Sequence, residues 1–431
     1  MINNKVFKNA AWIIGCKIIQ AILGLFVTML SARYLGPSGY GLINYAASLV
    51  SFVSPIMLLG FDSILVQELI NEPKREGEIL GTAIITCFIA SFFCVFGVIS
   101  VSAVLNRNEI ETVIVCALYS LLLIFQALNI IQYWFQAKLK SKYVSLVMLV
   151  VYILISIYQI ILLIRGKGVR WFAVSKAFDY AIIALALFII YTKAGGQKLS
   201  FSLKLIRRMF AKSKYYIISS LMVKIFAETD KIMLKTIIDD ASTGYYSAAV
   251  TCVGTTSFIF AAILDSFRPV VLEAKKSSEE DFENYISLLY CIIIYLSLLQ
   301  CIAMTLFAPL IVNILYGEQY SQAIGVLRLI VWYSTFSYIG PIRNIWLLAE
   351  GKQKYLWVIN LSGAILNVIL NFVLIPVWGM YGAAFASLLT QIFTNVIMSF
   401  IIKPIRGINK FLLKGLNIKL LFEFYKEKKR L

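Results

Sequence analysis

One stretch, Lys224-Ile-Phe-Ala-Glu-Thr-Asp-Lys-Ile-Met-Leu-Lys235, places five charged side chains inside an apolar segment long enough to cross a membrane. An ionised group at the bilayer centre costs roughly 2.5–3.5 kcal/mol on insertion scales. Twelve such groups are embedded along the chain: the cations Lys17, Lys176, Lys224, Lys231, Lys235, Arg328 and Arg343, and the anions Asp62, Asp179, Glu228, Asp230 and Asp265. Facing lipid, they would cost on the order of 30 kcal/mol, so we predict that they face a protein interior or a water-filled cavity with surplus positive charge.

The composition excludes an ordinary soluble domain. The chain has 431 residues, of which 60% are hydrophobic and 14% are charged, and its net charge is +18. The basic residues lie between apolar segments, as membrane topology requires, so the charge does not indicate nucleic-acid binding. Histidine is absent, and the seven cysteines all lie in apolar segments without a C-x-x-C spacing. We therefore predict buried cysteines and no cofactor, while coupling to a proton or sodium gradient stays open.

The hydrophobic pattern predicts an all-α polytopic membrane protein. Its apolar segments are about 20–27 residues long, which suits helices that cross a bilayer. Twelve such spans are predicted, near 11–31, 42–66, 80–105, 112–135, 144–164, 171–191, 215–238, 245–267, 285–315, 323–349, 355–376 and 381–402. The loops on one side are all short, so no large catalytic or receptor domain can lie there, and we predict that the protein is not an enzyme.

The distribution of lysine and arginine predicts the orientation. With the N-terminus inside, 28 of the 40 basic residues lie in cytoplasmic segments and five in external loops; the other seven are embedded in spans. Such a bias is what the positive-inside rule describes. Both termini are therefore predicted to be cytoplasmic.

A weak internal repeat predicts two halves. Gly41-Leu-Ile-Asn-Tyr-Ala-Ala-Ser opens the second span, and the similar Gly244-Tyr-Tyr-Ser-Ala-Ala opens the eighth. The predicted division is a six-helix bundle at 1–191, a basic cytoplasmic linker at 192–214, a second six-helix bundle at 215–402 and a basic cytoplasmic tail at 403–431. Linker and tail both carry apolar residues at helical spacing, so each is either an interfacial helix on the anionic inner leaflet or a solvated basic segment.

The seventh span carries a charged stripe. Lys224, Glu228, Lys231 and Lys235 fall at i, i+4, i+7 and i+11, within about 60° of one another on a 3.6-residue helix. Either the stripe lines a cavity, or its members neutralise each other along the helix. Lys176 and Asp179 form a similar i, i+3 pair in the sixth span, and Lys17 and Gln20 have the same spacing in the first.

Several signatures resemble those of bacterial polysaccharide-unit flippases of the O-antigen transporter (Wzx) type. The first runs from Ser31-Ala-Arg-Tyr-Leu-Gly-Pro-Ser-Gly-Tyr-Gly to Ala46, followed by Leu59-Gly-Phe-Asp-Ser-Ile-Leu-Val66. The others are Thr229-Asp-Lys-Ile-Met-Leu234 with Gly244-Tyr-Tyr-Ser-Ala-Ala249, Leu315-Tyr-Gly-Glu-Gln-Tyr320 and Gly379-Met-Tyr-Gly-Ala-Ala384. This family belongs to the multidrug/oligosaccharidyl-lipid/polysaccharide exporter superfamily.

The resemblance implies two six-helix bundles that form a V around a central, cation-lined cavity in the bacterial inner membrane. It implies a substrate of undecaprenyl pyrophosphate carrying an oligosaccharide for O-antigen, capsule or exopolysaccharide, moved from the inner to the outer leaflet. Membrane lipids, a polysaccharide polymerase and a chain-length regulator are the expected partners. The residues assigned to substrate binding are Lys17, Lys176, Lys224, Lys231 and Arg343, and those assigned to ion coupling or to pairing with the lysines are Asp179, Glu228 and Asp230.

Three alternatives are weighed against this prediction. A multidrug antiporter of the same superfamily would need an acidic cavity for organic cations, which the surplus of embedded cations disfavours. A flippase for the peptidoglycan precursor is closer in chemistry, but usually has more than twelve spans. A polysaccharide polymerase or glycosyltransferase would need a large external loop or a catalytic acidic motif, and Asp239-Asp240 lacks the further acidic residues of such a site.

Overall fold

The computed structural model describes the backbone of residues 2–420, and side chains from Gly15 onward together with Trp12. The part of the predicted tail at 421–431 lies outside the described residues. Within the described range the regular structure is helical throughout, with no strand. The chain divides into two compact units, 1–244 and 245–431.

The first unit contains nine helices and the start of a tenth. Their bounds are α1 (Ile2–Leu58), α2 (Leu65–Asn71), α3 (Glu76–Leu105), α4 (Ile110–Ser120), α5 (Leu122–Leu128), α6 (Gln132–Ala137), α7 (Ser141–Ile164), α8 (Val169–Lys193) and α9 (Leu203–Ile237). The unit boundary falls inside α10 (Asp240–Gly254). Phe61, Trp134 and Phe135 are among the side chains buried in the core of this unit.

The second unit contains the remaining helices. Their bounds are α11 (Ser257–Ser277), α12 (Glu279–Leu306), α13 (Ala308–Leu315), α14 (Ala323–Ala349), α15 (Leu356–Ile392), α16 (Met398–Ile401) and α17 (Asn409–Gly415). A π-helix, Phe393–Ile397, joins α15 to α16. The core of this unit packs Phe260, Phe282, Tyr290 and Phe411 together.

Each predicted span overlaps a helix of the structure, but the helix of the seventh, α9, is not among those apolar enough to cross a membrane. In the described residues, eight helices are long and apolar enough to cross a membrane, and the bent pair α10 and α11 makes a ninth. Two of the eight each hold two predicted spans, because the chain turns at Gly36 (φ 68°) within α1 and at Gly379 (φ 55°) within α15. Both angles lie in the left-handed region, which glycine adopts without steric cost. The chain is a multi-pass, all-α membrane protein. All seven cysteines are buried, as predicted, and none forms a disulfide.

The predicted linker and the described part of the predicted tail both pack against helices of their own unit. α9 runs without a break from Leu203 through the charged stripe, so the second half of the predicted linker is the first part of the seventh span's helix. The preceding residues pack on the start of α3, where a Cβ at Gly77 or Gly81 would lie 2.3 Å from the carbonyl oxygens of Lys198 and Ser200. The division at 191 and 214 therefore stays a prediction, with α9 packed in the first unit.

The predicted linker packs on α3 in the first unit, and the described part of the predicted tail packs on α12 in the second. These helices correspond to the third and ninth predicted spans. The buried carboxylate of Glu68 accepts from Arg208 at 3.0 Å and from Lys212 at 2.5 Å, which fixes the start of α9 beside α2. In the second unit, α17 packs on α12, and a Cβ at Gly415 would lie 2.5 Å from the Cβ of Tyr290. The repeat that the sequence suggested stays a prediction.

Gly41 and Gly244 open the two repeated motifs, and each lies against the backbone of the segment that contains the other. A Cβ at Gly41 would lie 1.8 Å from the carbonyl oxygen of Asp240, and a Cβ at Gly244 would lie 2.0 Å from the carbonyl oxygen of Pro37. No side chain fits between backbones at such distances, so glycine is required at both positions. The repeated Gly thus marks a backbone crossing between α1 and α10.

This crossing gives a stability prediction. Gly41→Ala would force α1 and α10 apart and is expected to lower the free energy of unfolding by about 3 kcal/mol. Gly97→Ala in α3 is the matched control, because a Cβ there meets nothing within 4 Å; it should stabilise α3 by roughly 0.5–1 kcal/mol through helix propensity. Thermal unfolding in detergent measures both, and an unfolding midpoint for Gly41→Ala at or above that of Gly97→Ala would contradict the crossing.

Candidate functional site

Part of the charged stripe of α9 is paired by ion pairs and hydrogen bonds within the first unit. The Glu228 carboxylate accepts from Lys231 Nζ at 2.6 Å and from Ser48 Oγ of α1 at 2.8 Å. Glu228 and Lys231 are mostly buried, with side-chain exposures of 15% and 18%. At this turn the stripe neutralises itself, as one of the two sequence interpretations predicted. The role of Lys231 in substrate binding stays a prediction.

The last cation of the stripe is held by two carboxylates. Lys235 is buried, and its Nζ lies 2.5 Å from Glu109 and 3.1 Å from Asp240. Glu109 comes from the loop between α3 and α4, and the same oxygen, Oε2, also accepts from the Thr112 hydroxyl at 2.7 Å. Hydrogen bonds from Lys235 and Thr112 lower the pKa of Glu109 below its ordinary value. This cluster ties α9 to the α3–α4 loop and to the start of α10.

Three embedded cations of the first unit have no carboxylate within ion-pair distance among the described residues. These are Lys17 on α1, Lys176 on α8 and Lys224 on α9; Lys17 is exposed and the other two are half-buried. By contrast, Lys231 and Lys235 are both ion-paired. Among the described embedded residues of the first unit, these three lysines are therefore the cations without an ion-pair partner.

A polar cavity of about 270 Å³ lies within the same unit. Gln20, one turn beyond Lys17, and Asp179, one turn beyond Lys176, both line it. The other lining residues are Leu58, Gln126, Asn129, Ile130, Gln132, Tyr133, Met148, Tyr152, Tyr180 and Ile183. The predicted i, i+3 pairs of the first and sixth spans thus each contribute one residue to a common cavity.

Sequence reasoning missed most of these lining residues. Gln126, Asn129 and Gln132 lie in the predicted fourth span, and the argument applied to embedded charges applies equally to embedded amides. Tyr152 was also missed. Its hydroxyl packs against Gly24, where a Cβ would lie only 2.5 Å from it. The signal was present in the sequence as amides inside an apolar segment.

Arg343 lies in the core of the second unit. Its exposed fraction is 4%, and its Nη1 donates to the Thr394 carbonyl at 2.6 Å while Nη2 donates to Asn344 at 3.2 Å. The π-helix explains this contact. The Met398 N–H donates to the Phe393 carbonyl, five residues back, and not to the Thr394 carbonyl, so the Thr394 carbonyl can accept from Arg343. Single π-helical turns often occur at functional sites. A substrate contact for Arg343 stays a prediction.

The other embedded charges lie at separate places. Asp230 on α9 is buried, with 4% exposure. Asp265 and Arg328 are exposed side chains of the second unit, and Arg328 Nε donates to the Thr305 carbonyl at 3.3 Å. Asp62 lies in the short 3₁₀ helix Phe61–Ser63. Asp62 and Asp230, which belong to the first unit, are not among the residues that line its cavity.

Comparisons with known proteins give the family. A family model described as "Polysaccharide biosynthesis protein" matches residues 6–275. The capsular polysaccharide biosynthesis protein CapF of Staphylococcus aureus is 19% identical over 393 residues, which cover 89% of this chain and 96% of CapF. An uncharacterized membrane protein of Methanocaldococcus jannaschii is 30% identical over 238 residues, which cover 51% of this chain and 45% of that protein. The chain thus spans less than half of the latter relative.

Solved structures share the fold. The lipid II flippase MurJ in an inward closed conformation has a TM-score of 0.71 at 16% identity, covering 96% of this chain and 92% of that one. An inward-facing multidrug resistance MATE family transporter of the MOP superfamily has a TM-score of 0.70 at 14% identity, covering 91% and 96%. At such identities the likeness is one of fold.

The Lys235 cluster predicts a pH-dependent stability. The lowered pKa of Glu109 means that its ionised form stabilises the fold above the ordinary pKa of 4.5, and that this contribution is lost as the pH falls through the lowered value. Lys235→Met should cost about 1–2 kcal/mol at neutral pH, through lost charged hydrogen bonds, and should remove this part of the acid sensitivity. Thermal unfolding from neutral to acid pH measures both effects.

The control for this cluster is an exposed ion pair of the same unit. Arg170 and Glu111 form such a pair, and Arg170→Met should change stability by about 0.5 kcal/mol or less. If Lys235→Met were no more destabilising than Arg170→Met, with an unchanged acid profile, the cluster would have no stabilising role.

Proposed function

The chain belongs to the polysaccharide biosynthesis protein family, and from this premise we propose that it is a flippase for lipid-linked oligosaccharide units. The substrate is an undecaprenyl pyrophosphate carrying a short oligosaccharide, moved from the inner to the outer leaflet of the bacterial cytoplasmic membrane by alternating access. The protein is a transporter and not an enzyme, with both termini cytoplasmic. A polysaccharide polymerase and a chain-length regulator are its expected partners in O-antigen, capsule or exopolysaccharide synthesis.

The observation that carries this proposal is the set of embedded lysines without a carboxylate partner. Lys17, Lys176 and Lys224 lie on three helices of one unit, α1, α8 and α9, and no carboxylate lies within ion-pair distance of any of them among the described residues. Cations in an apolar setting are costly unless an anion is supplied. A pyrophosphate supplies it, and ammonium groups bind phosphate oxygens through charge-assisted hydrogen bonds. The lipid tail can remain in the bilayer while the polar head crosses.

A second candidate differs only in the substrate's head group. The lipid II flippase shares the fold, and a peptidoglycan precursor would present a polar head that the same lysines could attract. The similarity to a capsular polysaccharide protein over nearly the whole chain favours a polysaccharide unit. A multidrug transporter of cations is disfavoured, because unpaired lysines repel organic cations.

The proposal is tested by the sidedness of the lipid-linked units. Cells lacking the gene, with and without a plasmid copy, are labelled in the sugars, and access of a glycosidase is compared in spheroplasts and after lysis. Units trapped on the inner face and released to the outer face by the plasmid copy support the proposal. Normal sidedness in the deletion strain, with no other flippase gene present, would overturn it.

The unpaired lysines give a specific prediction. Lys17→Gln, Lys176→Gln and Lys224→Gln, combined, should lower export at least about tenfold, since each charged hydrogen bond to phosphate contributes about 1.5–3 kcal/mol. Surface polysaccharide is measured by immunoblot at equal protein level. Arg165→Gln, in the loop between α7 and α8, is the matched control and should export normally. Export by the triple variant equal to that of the control would remove these lysines from the mechanism.

A further inference from the structure

A cavity of about 380 Å³ lies in the second unit, between α11, α14 and the segment that begins α15. Two charged side chains of α11 line it, Asp265 and Arg268, which are three residues apart and therefore on one face of the helix. In the predicted topology they lie at the inner end of the eighth span, at the depth of the lipid head groups. The other lining residues are Leu264, Pro341, Asn344, Ile345, Leu348, Gln353 and Leu356.

The two charges of this cavity are not paired with each other. An aspartate and an arginine three residues apart on a helix are neighbours that commonly form an ion pair. Asp265 and Arg268 form none, and neither side chain has a hydrogen bond or an ion pair with any other residue in the described part of the chain. Both side chains are exposed. The cavity therefore offers one free carboxylate and one free guanidinium to a ligand.

Two amide side chains of the cavity add a donor and an acceptor. Asn344 Oδ1 accepts from Arg343 Nη2 at 3.2 Å, and the Nδ2 of the same amide has no acceptor among the described residues. Gln353 Nε2 donates to the Leu348 carbonyl at 3.5 Å, which leaves its Oε1 without a donor over the same range of residues. The cavity thus combines donors for an anionic group with acceptors for a cationic group.

We propose that this cavity binds the head group of a zwitterionic aminophospholipid, with Arg268 holding the phosphate and Asp265 holding the ammonium group. One guanidinium and one carboxylate balance one phosphodiester and one ammonium group, so the occupied cavity carries no net charge. Arginine matches the geometry of phosphate oxygens, and a carboxylate accepts hydrogen bonds from an ammonium group. The pyrophosphate of a lipid carrier has no positive group for Asp265, so this site differs from the substrate site of the proposed function and does not rest on it.

The apolar part of the lining favours a lipid over a soluble zwitterion. Leu264 and Ile345 are buried at the cavity, and Leu348 is partly exposed there. The glycerol backbone and the first methylene groups of a phospholipid match these side chains in polarity. A soluble head group without acyl chains would leave them without an apolar partner.

Lipid binding is measured on the purified full-length protein in detergent by native mass spectrometry. The probes are phosphatidylethanolamine, phosphatidylcholine and phosphatidylglycerol with identical acyl chains. Phosphatidylcholine keeps the phosphate and the positive charge but has no N–H donor, and phosphatidylglycerol keeps the phosphate alone. The variants are Asp265→Asn and Arg268→Gln. Glu273→Gln combined with Lys276→Gln is the matched control, because these two exposed residues are also three apart on α11 but do not line the cavity.

The native protein should bind phosphatidylethanolamine about tenfold more tightly than either other lipid, because its head group alone forms hydrogen bonds with both charged side chains. Asp265→Asn should bind phosphatidylethanolamine and phosphatidylcholine equally. Arg268→Gln should weaken the binding of all three lipids about tenfold, since each of them presents a phosphate. The control variant should keep the affinities and the preference of the native protein.

Equal binding of phosphatidylethanolamine and phosphatidylcholine by the native protein would overturn the proposal, as would native affinities and preference in both charge variants. Glycerophosphoethanolamine, which has no acyl chains, separates a lipid from a soluble ligand, and binding as tight as that of phosphatidylethanolamine would overturn the assignment to a lipid. If a charge variant does not fold, Gln353→Leu replaces it, and an unchanged preference in that variant overturns the proposal. The experiment contains no lipid-linked sugar, so its outcome is independent of the sidedness experiment.

Discussion

A charged side chain embedded in a membrane-spanning chain needs a partner, and the organisation of the first unit follows from this constraint. Glu228 is satisfied by Lys231 and Ser48, and Lys235 by Glu109 and Asp240. These contacts hold α9 against α1 and the α3–α4 loop. Among the described residues of the first unit, three embedded lysines have no carboxylate within ion-pair distance, and two embedded carboxylates, Asp62 and Asp179, have no cation within that distance. In the proposed function, the three lysines are the groups that would bind the anionic part of the substrate.

The position of α9 depends on backbone fit as well as on charge. Its first turns are held beside α2 by Glu68, with Arg208 and Lys212 as donors, and beyond its last turn the backbone of α10 crosses α1 at Gly41 and Gly244. Both ends of the helix that carries the stripe are therefore fixed within one unit. A helix held in this way can present Lys224 at a defined place while its neighbours Glu228 and Lys231 are neutralised.

The sequence was sufficient for most of the spans but not for the pairing of their charges. Every predicted span overlaps a helix, because about twenty apolar residues are needed to cross a bilayer. The seventh is the exception in its bounds and its composition, since α9 begins at Leu203 and is not among the helices apolar enough to cross a membrane. The continuity of α9 was also readable, since no Gly or Pro occurs between Leu203 and Ile237. The partners of Lys235 and Glu228 were not readable: Glu109 is 126 residues away and Ser48 is 180 residues away. The π-helix contact of Arg343 depends on a shift of one hydrogen bond, which leaves no pattern in the sequence.

The central claim is that the unpaired lysines bind the pyrophosphate of a lipid carrier. Its most direct test is the binding of undecaprenyl pyrophosphate, compared with uncharged undecaprenol, to the purified protein by native mass spectrometry. The account predicts that the native protein binds the pyrophosphate lipid, and that the protein with Lys17, Lys176 and Lys224 changed to Gln binds it no better than undecaprenol. Equal binding of the two lipids by the native protein would contradict it.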